Sequence, residues 1–163
     1  MILQRLFLFA HVLSAFLYLL AHGASVAVAH RVHRETSTDR VHALLDLSRS
    51  TVGAARIALL STIACGITLG FLGHWWSARW LWASIAVLVI VFVLMGRVAV
   101  PYFARIRTAA GLVLVDGTWR SGGRQPSSDE LVKAVQSANP AAITGVAVAG
   151  WATILWLMLF KPF

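Results

Sequence analysis

The sequence predicts an all-α integral membrane protein: a single domain over residues 1–163, built as a bundle of four hydrophobic helices with both termini on the non-cytoplasmic side. Three observations predict this. Hydrophobic residues make up 59% of the chain and charged residues only 12%, whereas an ordinary soluble domain carries roughly 25% charged residues. Four apolar runs are each long enough to cross a hydrocarbon core of about 30 Å. The basic residues gather in the connections between those runs, as they do in proteins whose orientation is set by charge.

The first span, about 3–29, carries Arg5 and then stays apolar apart from His11, Ser14, Tyr18, His22 and Ser25. Arg5, the apolar stretch and Ala27-Val28-Ala29 imitate a signal peptide. The apolar stretch is longer than a typical signal core, so the segment is read as retained. The connection 31–53 is basic and polar, and Val41, Leu44, Leu45 and Ser48 recur in it at helical spacing. This pattern predicts a short interfacial helix with Asp39 as N-cap. The second span, 54–73, places Gly66, Gly70 and Gly73 close to one face, where small residues permit tight helix contact.

Trp75, Trp76, Trp80 and Trp82 cluster between the second and third spans, an interfacial aromatic belt. The third span, 81–100, is a run of Ala, Val, Leu and Ile interrupted by Gly96-Arg97 and followed by Pro101; the chain is expected to leave the bilayer still helical. Within the connection 101–140, residues 116–128 are rich in Gly, Ser and Pro and read as a flexible loop. Ser127 and Glu130 match a capping box opening a short surface helix to Ala138. Asn139-Pro140 then restarts the chain as the fourth span, 141–160.

Of the 14 Lys and Arg residues, eleven fall on the side of the first and third connections, and only Arg5, Arg79 and Lys161 on the other. The positive-inside rule therefore puts the termini and the tryptophan turn outside the cytoplasm. A net charge of +8 would suggest nucleic acid in a soluble protein. Here no nucleic-acid-binding motif accompanies the charge, which reads as topology signal and as contact with lipid headgroups. Cys65 is the single cysteine, which excludes an intrachain disulfide and a cysteine-rich metal site.

His11, Ser14, Tyr18, His22 and Ser25 are offset by three, four, four and three residues, so they form one stripe down a helix face. Hydrocarbon cannot satisfy such groups, and the stripe must face protein or a water-filled cavity. His11 and His22 differ in depth by about 16 Å and cannot ligate one iron. Each can supply an axial ligand to haem b at its own depth, with a neighbouring hydroxyl such as Tyr18 fixing the tautomer. The competing reading is that both only hydrogen-bond across helices. Arg97, a charge in an otherwise apolar span, either extends to the interface or holds a haem propionate.

His30, His33 and His42 read as a headgroup-level basic patch, and His74 as an interfacial anchor. No carboxylate lies inside a span, which counts against an ion-coupled transporter. Phosphate-binding glycine loops, zinc-protease helices and nucleophile elbows are all missing.

The stretch FAHVLSAFLYLLAHGASVAVAHRV, the following ALLDLSR and the turn FLGHWWSARWLWAS resemble a bacterial family of integral membrane proteins designated domain of unknown function 2269. The resemblance covers most of the first three spans, with His11, the His22-Gly23 pair and residues 45–49 as matching positions. It implies the topology and a bacterial inner membrane. The chain is more loosely similar to small four-span haem-linked membrane proteins of the copper-resistance D and protoporphyrinogen-oxidase J types. These also carry a histidine early in the first helix, matched here by His11; Arg97 stands where the oxidase type has a lysine.

The expected function is a small haem-b protein for electron transfer or redox chemistry. The alternatives are a non-catalytic scaffold or accessory subunit and, third, a small-solute transporter. Expected partners are membrane lipids and a second copy or larger membrane complex, without nucleic acid.

Overall fold

The computed structural model describes residues 1–35, 37–122, 127–137 and 140–163. Helix α1 spans Ile2–Val32, α2 Thr38–Leu72 and α3 Arg79–Ala109, with a 3-10 turn at Trp75–Ser77 between the last two. Strands β1, Leu112–Val115, and β2, Thr118–Ser121, form an antiparallel hairpin. Helices α4, Ser128–Gln136, and α5, Pro140–Phe160, complete the chain. Among the described residues four helices, α1, α2, α3 and the helix ending at Phe160, are long and apolar enough to cross a membrane. The fold is the all-α four-helix bundle that the hydropathy pattern predicts.

Helix α1 packs along α2 and α3 along α5, and α1 also meets α5, which joins the two pairs. In the second pair Gly150 of α5 lies directly against Val91 of α3, so closely that a Cβ at 150 would overlap the valine side chain. Arg5, Leu69, Trp75 and Lys161 line one cleft, so the start of α1, the end of α2 and the end of α5 meet at the tryptophan end.

Four local expectations are corrected. The interfacial helix is not separate: α2 runs unbroken for 35 residues. Gly53 within it costs only about 1 kcal/mol relative to Ala, too little to break a helix whose Val41 and Leu45 are buried. At 1.5 Å per residue α2 is about 52 Å long, roughly 20 Å more than a hydrocarbon core. Its N-cap is Ser37, without a side-chain cap bond, and Asp39 sits in the first turn. Ser127 likewise caps α4 without a side-chain bond.

The loop expected over 116–128 begins instead as a hairpin turn. Asp116 and Gly117 take φ of 50° and 74°, the two positive values of a type I′ loop, for which Asp-Gly is a favoured pair. Residues 123–126 of that loop, Ala138 at the expected end of α4 and Asn139 at the expected restart lie outside the described residues.

The core sits at the basic end. Val28, Ala29 and Val32 of α1, Val41 and Leu45 of α2, and Tyr102 and Ile106 of α3 with the following Ala110 pack with Leu131 and Val135 of α4 and Ile143 of α5. Polar contacts seat α4 on this core: His33 Nδ1–H donates to the Val135 carbonyl at 2.9 Å, and the Tyr102 hydroxyl donates to the same oxygen at 3.4 Å. The hairpin is held to α3 by Arg107, whose guanidinium lies 5.7 Å from the Phe103 ring and 5.6 Å from the Trp119 ring.

Candidate functional site

The polar stripe of α1 meets a second polar series on α2. His11 Nδ1 lies 2.9 Å from the Thr62 carbonyl oxygen. A carbonyl can only accept, so Nδ1 carries the proton, and in the neutral ring Nε2 is left with its lone pair. Nε2 has no hydrogen-bond partner among the described residues. The imidazole reaches a main-chain oxygen of a helix because residue 66, one turn further along, has no side chain: a Cβ there would stand 3.1 Å from His11 Cε1 and 3.4 Å from Nδ1. Gly66 is thus the cradle of the ring.

Below His11, Ser14 Oγ donates to the His11 carbonyl at 3.0 Å, and Thr62 Oγ1 lies 3.0 Å from Ser14 Oγ and 2.8 Å from the Ala58 carbonyl. Three turns deeper the arrangement recurs, with Ser25 Oγ 2.9 Å from Thr51 Oγ1. Ser14 and Ser25 are eleven residues apart on α1, and Thr51 and Thr62 are eleven apart on α2. Because the helices run antiparallel, each serine meets the opposite threonine. Sequence reasoning missed both threonines, although their shared spacing was the signal that could have found them.

Tyr18 and His22 belong to the same stripe but turn to α5. Their rings stack at 5.5 Å and 8°, and Tyr18 lies 5.0 Å from the Trp151 ring. Arg97 does not join this group. It is exposed on α3, which packs with α5 rather than α1, about 27 Å along its helix from the tryptophan end, against about 14 Å for His11. Gly70 and Gly73 receive rings rather than a neighbouring backbone: a Cβ would meet Trp76 at 3.0 Å and Trp75 at 2.5 Å, respectively. His30 pairs with Thr144 Oγ1 at 2.9 Å.

Among the described residues no group of three or more His, Cys, Asp or Glu side chains could hold a bare metal ion. A porphyrin brings four nitrogen ligands of its own and asks one or two axial groups of the protein. One neutral imidazole with its Nδ1–H fixed by a carbonyl matches that smaller demand. Comparison of the chain with family models, curated proteins and solved structures found no match.

Proposed function

We propose that the protein is a multi-pass protein of a bacterial inner membrane, with both termini on the non-cytoplasmic side, that binds haem b through His11 for electron transfer or redox chemistry. The observation that carries this reading is the His11–Thr62 contact over Gly66. An imidazole serving only as a link between helices needs Nδ1 alone, and Nε2 stays at the helix surface without a hydrogen-bond partner among the described residues. Ligation uses that nitrogen. Haem, when bound, supplies one-electron chemistry at its iron.

The chain's own residues define what surrounds that centre. Thr62 fixes the tautomer and orientation of His11 and, as a hydrogen-bond acceptor, raises its basicity as a ligand. Gly66 keeps the ring in the α1–α2 seam, and Ser14 ties the His11 carbonyl to the adjacent turn. His22 serves the aromatic ladder to Trp151.

The second reading is a non-catalytic scaffold or accessory subunit. It is favoured by the Ser14–Thr62 and Ser25–Thr51 pairs, which account for the serines of the stripe without any ligand. Absorption spectra separate the two. Protein purified after expression with ample haem should show a reducible Soret band, retained in His22→Ala and lost or strongly altered in His11→Ala. Wild-type protein without a chromophore, or full haem content in His11→Ala, refutes ligation by His11 and leaves the scaffold.

A further inference from the structure

At the tryptophan end, α1, α2 and α5 leave an open cleft of about 430 Å³ lined by Arg5, Leu8, Leu69, Trp75, Met158 and Lys161. Two of these residues are cations. The Lys161 ammonium is held over two rings, 4.8 Å from the Trp75 centroid and 5.2 Å from that of Trp80. Trp80 is itself buried, so the platform under the lysine is fixed by packing. The six Asp and Glu side chains, at 35, 39, 46, 116, 129 and 130, all belong to the polar connections or the basic ends of helices. None is available to neutralise Arg5 and Lys161.

Below the cations the wall turns apolar, with the exposed Leu8 one turn beyond Arg5 on α1 and the buried Leu69 of α2 at the floor of the cleft. A cleft with paired positive charge at its mouth, an indole belt around it and an aliphatic wall descending into the membrane is complementary to one kind of molecule. Its ligand carries a negative charge at headgroup level and a hydrocarbon chain below it. We infer that this cleft is a binding site for an anionic phospholipid, with the phosphate between Arg5 and Lys161 and an acyl chain along Leu8 and Met158. The site is independent of the haem reading, since His11 is not among the residues that line it.

Native mass spectrometry of the detergent-purified full chain, titrated with phosphatidylglycerol or phosphatidylcholine, tests this. Each cation near the headgroup layer is expected to change affinity about five-fold. Arg5→Gln and Lys161→Gln should therefore each weaken phosphatidylglycerol binding about five-fold, and the double variant about twenty-five-fold. Lys161→Arg should retain binding, and phosphatidylcholine should bind weakly and equally to every form. Arg79→Gln, which removes an interfacial cation outside the cleft, is the control and should bind as wild type. The single variants read the same quantity if the double variant does not fold.

Unchanged phosphatidylglycerol affinity in the single and double variants overturns the assignment, as does an equal loss in Arg79→Gln. So does inorganic phosphate that competes as well as the lipid, because the apolar wall would then contribute nothing. Loss of haem with lipid affinity unchanged would give the cleft to a cofactor's carboxylates instead.

Discussion

Replacing Gly66 separates two quantities that most substitutions confuse, the stability of the α1–α2 seam and the placement of the His11 ring. In Gly66→Ala the new Cβ stands 3.1 Å from Cε1, so the imidazole must retreat by a few tenths of an ångström. The 2.9 Å contact with Thr62 then stretches to about 3.2 Å, the outer edge of the N–H···O range. An interhelical bond in a membrane is worth about 0.6 kcal/mol on average, and Gly→Ala in a helix returns up to about 1 kcal/mol. Net stability should change by less than about 1 kcal/mol, while any haem spectrum shifts.

Gly66→Leu leaves no such escape. The added branch takes the volume of the ring, and loss of the bond plus overpacking costs about 2–4 kcal/mol. Gly145→Leu is the control, because nothing lies within 4 Å of a Cβ there. Reversible unfolding in mixed detergent micelles reads all three variants. Equal stabilities for Gly66→Leu and Gly145→Leu would refute the cradle.

Gly150→Ala should destabilise the α3–α5 pair by about 1–3 kcal/mol by driving a methyl into Val91, measured in the same assay and relieved by Val91→Ala. Ile106→Ala, at a fully buried position, should cost about 2–5 kcal/mol. His33→Ala should raise amide exchange throughout α4, because it removes the shorter of two bonds to the Val135 carbonyl; exchange unchanged from wild type would show that Leu131 and Val135 hold the helix alone. A C-terminal reporter active only outside the cytoplasm should give signal, and activity of a cytoplasm-only reporter would reverse the proposed orientation.

The number and type of the long helices were legible in the sequence because hydropathy acts on every residue of a span at once. The unity of α2 was not. The polar residues 31–53 and the apolar run after them differ in surroundings but not in backbone preference, and hydropathy reports surroundings. The hairpin was legible in principle at Asp116-Gly117; the composition of the residues after it outweighed a two-residue signal.

At the stripe, the α1 half was readable from polar residues that hydrocarbon cannot accommodate. Thr51 and Thr62 were not, because a threonine in a membrane helix can satisfy its own hydroxyl on the preceding turn, as Thr62 also does with Ala58, and so advertises no partner. Gly150 hid for a related reason. A single glycine carries no periodicity, and only the position of Val91 gives it meaning.

The core at the basic end also sets an order of events during synthesis. It takes residues from all five α-helices, from Val28 to Ile143, so it cannot close until nearly the whole chain has been made. At about 5–20 residues per second, the ribosome needs on the order of ten seconds to travel from Val32 to Ile143. Throughout that interval the nascent protein presents an incomplete hydrophobic core, and a chain interrupted before α5 lacks Ile143 and leaves the core open.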